Sequence, residues 1–151
     1  MEGHGDSYEV GRHLAAFGRA HHNAGDGARA LELCSGAARK FGETEYNGQE
    51  EAPAGNLETL GDIYLGLGRH DEAVESYERA LAVWRGMRDG TNSADCLIML
   101  GKAFIAAGRP GRGRDALVEA LELIDATRDA HNFDSADLQE ARDLIASVKN
   151  V

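Results

Sequence analysis

Glycine recurs in this chain at a regular interval, inside segments whose apolar residues are otherwise spaced as in helices. Gly18, Gly61 and Gly101 are separated by 43 and 40 residues, and each is followed seven residues later by another glycine. Glycine in a helix interior is destabilising by about 0.5–1 kcal/mol relative to alanine, so three equivalent occurrences need a structural reason. The interval predicts three copies of one helical unit.

Each copy has the pattern of two helices joined by a tight turn. Apolar stripes at i, i+3, i+4 and i+7 indicate the first helix of each pair. The stripes are Leu14, Phe17, Gly18 and His21; Leu57, Leu60, Gly61 and Tyr64; and Leu97, Leu100, Gly101 and Phe104. The second glycine of each copy stands where a left-handed residue ends a helix. Asp26, Asp71 and Pro110 are then expected to open the second helix, the aspartates as N-caps.

The helix-interior glycines predict close contact between the two helices of a pair. A residue without a side chain lets larger residues of the partner helix lie against its backbone. On the second helices, Ala30, Ala73 and Gly113 are the corresponding small residues. Aromatic residues, Phe17 and Tyr77 among them, are expected to fill the space around each contact.

This arrangement resembles the tetratricopeptide repeat (TPR) family, whose pattern is W-x₂-L-G-x₂-Y…A-x₃-F…P. The best match is Leu57, Leu60, Gly61, Tyr64, Ala73, Tyr77 and Ala80, which departs at the Trp and the final Pro. The resemblance covers about residues 8–131. It implies an all-α fold, a right-handed α-solenoid of three helical hairpins, with a C-terminal capping helix after them.

The repeat period exceeds the usual 34 residues of the family. In the second unit the extra residues are expected to lengthen the second helix through Trp84 to Met87, and in the first to form an acidic loop. Long repeats of this kind are similar to those of kinesin light chains, LGN-type adaptors and large bacterial transcriptional regulators. The residue sequence Leu67-Gly-Arg-His-Asp-Glu-Ala73 favours the repeats of the bacterial regulators among these.

The predicted organisation has six segments. They are a disordered N-terminal segment (1–7), TPR 1 (8–42), the acidic loop (43–53), TPR 2 (54–90), TPR 3 (91–131) and a C-terminal capping helix (132–151). In the last segment Arg142 occupies the place of the motif glycine. A stack of repeats needs a terminal element with a polar outer face, which favours a cap over a truncated fourth repeat.

The resemblance implies that the first helix of each pair lines a concave groove. The residues beside the packing stripes are then the candidate ligand contacts. With Ala15, they are Arg12, Arg19, His22 and Asn23; Glu58, Asp62 and Leu65; and Asp95, Ile98, Lys102 and Ile105. This groove has a basic end, an acidic middle and an apolar end with one lysine. It suits a peptide of mixed charge. For any single one of these residues, the alternative is that it lies on a solvated helix face and contacts no ligand.

Charge and cysteine content restrict the functional class. The net charge is −10 and no segment is basic, which argues against binding nucleic acid or an anionic membrane. Two cysteines without CxxC spacing indicate reduced thiols in a cytoplasmic protein. The apolar runs are too short to span a bilayer, and no signal peptide is visible.

No constellation of residues indicates catalysis, a metal or a cofactor. His13, His21 and His22 lack the spacing of a metal-ligand set, and Glu58 and Asp62 have no neighbouring nucleophile. We therefore expect a non-catalytic module that binds a protein or peptide, and its resemblance to bacterial regulators suggests the sensor or regulatory arm of a larger protein. The alternative is a self-assembly element that forms a homodimer.

Overall fold

The computed structural model describes residues 4–43, 50–127 and 135–148 of the chain, and in these ranges every regular element is a helix. The helices are α1 (His4–Asn23), α2 (Gly27–Gly42), α3 (Glu51–Gly66), α4 (His70–Gly86), α5 (Gly90–Ala106), α6 (Pro110–Thr127) and α7 (Ser135–Val148). The all-α fold that the sequence predicts is therefore confirmed, with α1–α2, α3–α4 and α5–α6 as the three hairpins.

The turns inside the hairpins end each first helix with a left-handed glycine. Gly25, Gly68 and Gly108 have φ angles of 85°, 75° and 80°. The residue after each of these glycines donates a hydrogen bond from its backbone N–H to a carbonyl oxygen in the last turn of the first helix. In the second hairpin, Arg69 N lies 2.8 Å from Tyr64 O. This bond satisfies a carbonyl that the helix itself leaves open, and glycine makes the required φ accessible.

The helix-interior glycines are the points at which the two helices of a hairpin touch. A Cβ on Gly61 would lie 2.6 Å from two ring atoms of Tyr77, and one on Gly101 would lie 2.6 Å from Cγ of Leu117. A Cβ on Gly18 would overlap the sulfur of Cys34. Each of these positions accepts a hydrogen atom and nothing larger.

A hydrogen bond between hairpins recurs at equivalent positions. Asn56 Nδ2 donates to the backbone oxygen of Cys34 at 3.0 Å, and Cys96 Sγ donates to the backbone oxygen of Tyr77 at 3.3 Å. Asn56 and Cys96 each stand five residues before the interior glycine of their unit. All four side chains are buried, and the hairpins share one continuous core.

The helices extend beyond the predicted segment boundaries. Because α1 begins at His4, four of the seven residues expected to be disordered are helical, and residues 1–3 lie outside the described part. Because α3 begins at Glu51, the acidic loop ends earlier than predicted, and its residues 44–49 are not described. Residues 128–134 and 149–151, on either side of α7, also lie outside the described part.

Two expectations about individual side chains are wrong. Asp71 does not cap α4, which begins at His70; Asp71 pairs instead with Arg109, in the turn between α5 and α6. Phe17 does not fill the contact of the first hairpin, because 61% of its surface is exposed. Its counterparts Leu60 and Leu100 are each 5% exposed. Leu60 and Leu100 lie in helices that pack against the second helix of the preceding hairpin.

The last helix lies against α6 through its small and aliphatic residues. Ala141 is fully buried and Val148 is 8% exposed, whereas Arg142 next to them is exposed. Lys102 Nζ of α5 donates to Glu140 of α7 at 3.0 Å. Arg142 stands at the position of the motif glycine, and its side chain leaves no room there for a partner helix. A capping role for α7 therefore stays our prediction.

Two N-caps give a test of the hairpin boundaries. The Asp26 and Asp89 side chains accept hydrogen bonds from the backbone N–H groups of Arg29 and Asn92. Replacing either aspartate with alanine is expected to lower the free energy of unfolding by about 1 kcal/mol. Asp71→Ala removes only an exposed ion pair and should change it by less than about 0.5 kcal/mol. Urea titration of the three variants checks this, and equal losses would contradict the assigned caps.

Candidate peptide-binding groove

The first helices of the three hairpins bring most of the candidate groove residues together. Burial raises the pKa of Asp62 of α3, and His22 and Arg19 of α1 lie close enough to oppose this effect. Asp62 in turn raises the pKa of Asp95 of α5. Side chains from three hairpins therefore form a row across α1, α3 and α5, with a basic side on α1 and an acidic centre on α3 and α5.

Glu58 is the most perturbed carboxyl group of this row. Trp84 Nε1 donates to Glu58 Oε1 at 3.2 Å across a mostly buried contact. Burial and, after it, the negative charge of Asp95 raise the pKa of Glu58 to about 7, against the opposite effect of the Trp84 hydrogen bond. Near neutral pH this group exists in both the protonated and the ionised form.

The pKa values of Asp62 and Asp95 are also raised. Burial raises the pKa of Asp62, although the hydroxyl of Tyr77 donates a hydrogen bond to it. Burial also raises the pKa of Asp95, with Asp137 of α7 adding repulsion and Lys102 adding attraction. Glu58 and Asp62 are partly buried, whereas Asp95 is exposed beside them. Three carboxyl groups that repel one another favour a cation as a neighbour.

A cleft of about 490 Å³ opens between α1, α3 and the start of α5. Its walls carry charges of both signs and one aromatic ring, from Arg12, Arg19, Glu51, Glu58, Trp84 and Asn92. Arg12 pairs with Glu9 of its own helix at 3.0 Å, in an exposed contact. The cleft is open to solvent, and its charged walls can contact an extended chain.

The apolar end of the predicted groove is not formed as expected. Ile98 is 4% exposed and belongs to the core, so it cannot line a groove. Leu65 and Ile105 are partly buried and pack against the same core. Lys102 is held by Glu140 of α7. Asn23 is exposed at the end of α1.

Sequence reasoning did not find several residues that shape this site. Trp84 belongs to a second helix, and its distance of 26 residues from Glu58 carries no local signal. The sequence predicts only a packing role for Tyr77, yet its hydroxyl donates a hydrogen bond to Asp62. Asp137 and Glu140 come from α7, whose position against α5 depends on the whole stack.

Neither cysteine has the features of a nucleophile. Cys34 and Cys96 are free and buried, and burial raises the pKa of Cys34 to about 11 and that of Cys96 further. Within the described ranges, no three His, Cys, Asp or Glu side chains converge as a metal site would require. Over the same ranges, no helix combines the length and the apolar character needed to cross a bilayer.

The chain belongs to the tetratricopeptide repeat family, whose pattern it matches over residues 51–126, half of its length. The resemblance noted from the sequence is thereby confirmed. Repeats of this family mediate protein–protein interaction, and its members are typically non-catalytic scaffolds. Comparison with curated protein sequences finds no significant match.

Solved structures share the fold at low sequence identity. BtubC (BKLC) from P. vanneervenii is 22% identical with a TM-score of 0.69, over 76% of this chain and 46% of BtubC. The N-terminal domain of stress-induced protein-1 (STI-1) from C. elegans is 15% identical with a TM-score of 0.68, over 91% and 96% of the two chains. A Podosopora anserina protein described as a kinesin light chain with nearly identical TPR-like repeats is 18% identical with a TM-score of 0.68, over 91% and 72%. This chain thus spans less than half the length of BtubC.

The raised pKa of Glu58 predicts that stability falls as pH increases. Its pKa is about 7 in the folded chain against an ordinary value of 4.5, so the folded state holds more protons between these values. The free energy of unfolding must then decrease with pH through this window. Glu58→Gln, which keeps an acceptor for Trp84, should be about 1–2 kcal/mol more stable than the wild type near pH 8 and nearly equal to it near pH 4.5.

Urea titration at both pH values measures this difference. Glu78→Gln on the exposed side of α4 is the matched control and should leave the pH dependence of the wild type intact. The assignment is wrong if Glu58→Gln and Glu78→Gln show the same dependence.

Proposed function

We propose that the chain binds a peptide segment of a partner protein along the row formed by α1, α3 and α5. The observation that supports this most is the cluster of Glu58 and Asp62 from α3 with Asp95 from α5. The pKa values of all three carboxyl groups are raised by desolvation, and those of Glu58 and Asp95 also by repulsion within the cluster. A bound lysine or arginine would relieve the repulsion among these carboxyl groups. Membership of a family that mediates protein interaction supports the same function.

The charge distribution specifies the ligand further. A basic residue of the peptide lies over the acidic centre, and an acidic residue lies toward Arg12 and Arg19 on the wall of the cleft. Crossing three helices at about 8–10 Å each requires about eight residues of extended chain. The ligand is therefore a short extended segment with opposite charges at its centre and at one end.

A cationic ligand is linked to the protonation of Glu58. Binding favours the ionised carboxylate, so it releases a proton wherever Glu58 is partly protonated beforehand. Affinity for a basic segment should therefore increase as pH rises toward about 8. The partial protonation near neutral pH makes the groove less repulsive when it is empty.

A second part of the proposal concerns the kind of protein in which this TPR module occurs. The long repeat period and the residues Leu67-Gly-Arg-His-Asp-Glu-Ala73 support a regulatory arm of a larger bacterial protein that acts in the cytoplasm. The length of the encoding reading frame in the source genome tests this part independently of the groove.

Selection from a library of displayed random peptides tests binding directly. We expect enrichment of sequences with a central Lys or Arg and an acidic residue several positions away. Selection should be weaker at about pH 5.5 than at pH 8 because Glu58 is then protonated. No enrichment, or enrichment of peptides with an acidic centre, would refute the proposed ligand class.

A further inference from the structure

A small pocket opens where the turn of the first hairpin meets the end of α3. Its volume is about 240 Å³, and we define this turn pocket by its lining residues, which are His22, Gly25, Gly27, Ile63, Gly66 and Leu67. Three of the six residues are glycines, so much of the wall is backbone. Ile63 is 2% exposed and lies at the bottom, whereas Leu67 is 47% exposed and lies at the rim. The lining is therefore mainly apolar and accessible to a partner.

Stacking of the hairpins does not require this pocket. At the equivalent positions of the second junction, His70 replaces Gly27 and Ala107 replaces Leu67. A Cβ built on Gly27 would lie 3.6 Å from Cδ2 of Leu67, which is an ordinary contact distance. Gly27 also has no positive φ, so neither close approach nor backbone conformation demands a glycine here. The open space and the exposed leucine are specific to the first junction.

The turn pocket adjoins the acidic centre of the groove. His22 lines the pocket and also lies close enough to Asp62 to interact with it by charge. Ile63 follows Asp62 directly in α3, so their Cα atoms are about 3.8 Å apart. A peptide whose basic residue lies over the acidic centre therefore brings its neighbouring residues to the mouth of the pocket. This continuity favours an occupant that belongs to the same ligand.

The volume and the lining of the turn pocket specify the kind of side chain that it takes. A protein cavity of about 150 Å³ with apolar walls binds benzene. A pocket of about 240 Å³ therefore has room for the side chain of a leucine, methionine or phenylalanine. Contact with Ile63 and Leu67 removes apolar surface of both partners from water, which favours binding. A charged side chain would lose hydration against the same walls.

We propose that the turn pocket binds an apolar side chain of the peptide ligand, from a residue within two positions of the central basic residue. The inference rests on the proposed function, because it concerns the same peptide. It adds an apolar specificity determinant to the electrostatic one at the acidic centre. The ligand is then distinguished from other basic segments by a large apolar residue next to its lysine or arginine.

A set of five synthetic peptides tests the turn pocket. Each has eight residues with blocked ends, a central lysine, and a glutamate three residues before the lysine. Four of them carry leucine at one of the four positions within two residues of the lysine and serine at the other three, and the fifth carries serine at all four. Isothermal titration at pH 8 gives their dissociation constants. At least one leucine peptide should bind about tenfold or more tightly than the serine peptide, because its leucine is buried on binding.

Gly27→Leu fills the turn pocket from within the chain. The first added carbon meets Leu67 at an ordinary contact distance, so the fold should be preserved, which circular dichroism checks. This variant should bind the preferred leucine peptide no more tightly than the serine peptide. Its affinity for the serine peptide should stay within about twofold of the wild type, because the acidic centre is unchanged.

Gly111→Leu is the matched control, since Gly111 lies in the first turn of α6 with no atom within 4 Å of a Cβ built there. It should distinguish the leucine and serine peptides as the wild type does. Equal binding of all five peptides to the wild type would overturn the turn pocket and leave the groove in place. A preference for leucine that survives Gly27→Leu would also overturn it. If none of the five peptides binds, the proposed function itself fails, and this inference with it.

Discussion

Gly61→Leu is expected to lower the free energy of unfolding by more than about 3 kcal/mol, enough to unfold much of the second hairpin. The first added carbon would already lie 2.6 Å from two atoms of the Tyr77 ring, and leucine adds three more carbons. Leucine is the better helix former by roughly 0.8–1 kcal/mol, so the loss must come from overpacking and not from helix propensity. Circular dichroism during urea titration measures it.

Gly66→Leu is the matched control in the same helix. No atom lies within 4 Å of a Cβ built on Gly66, which is exposed near the end of α3. Its free energy of unfolding should not fall, and the better helix propensity of leucine should raise it by at most about 1 kcal/mol at this last residue of α3. Combining Gly61→Ala with Tyr77→Leu should cost less than the sum of the single substitutions, because the smaller partner relieves the clash. Equal effects of Gly61→Leu and Gly66→Leu would refute the register of the hairpin.

Asp62→Asn is expected to weaken binding of a selected basic peptide by about 30-fold or more, since it removes a partly buried charge that faces the ligand. The asparagine keeps an oxygen that can accept the hydrogen bond of Tyr77, so the fold should be preserved. Isothermal titration with the peptide from the library selection gives the change in dissociation constant.

Glu75→Gln removes the same kind of charge from the outer side of α4, where the side chain is exposed. This control should leave the affinity within about twofold of the wild type, because surface charges far from the ligand are screened by salt. If Asp62→Asn binds as tightly as Glu75→Gln, the ligand does not lie over the acidic centre.

The features set by local physics could be predicted from the sequence. Helical periodicity and the left-handed glycines specify three hairpins, and the interior glycines specify where the helices of each hairpin touch. Asp71 shows the limit of such local signals, since α4 begins one residue before it and Asp71 pairs with a different hairpin.

The groove could be predicted only in part, because its composition depends on how the hairpins stack. The acidic residues of α3 and α5 lie on the expected side, whereas Ile98 is drawn into the core. The indole of Trp84 and the carboxylates of α7 reach the row from other elements, which single-helix patterns cannot show. For the same reason the exposure of Phe17 could not be predicted, since its position in the motif matches those of the buried Leu60 and Leu100.

Photo-crosslinking of a selected peptide to the full chain tests the groove most directly. A photoreactive residue replaces a neighbour of the central basic residue, and mass spectrometry locates the attached positions. We expect crosslinks on α1, α3 and α5, concentrated around Arg19, Glu58 and Asp95. Crosslinks confined to α2, α4 and α6 would place the ligand on the opposite side of the stack and contradict the proposed function.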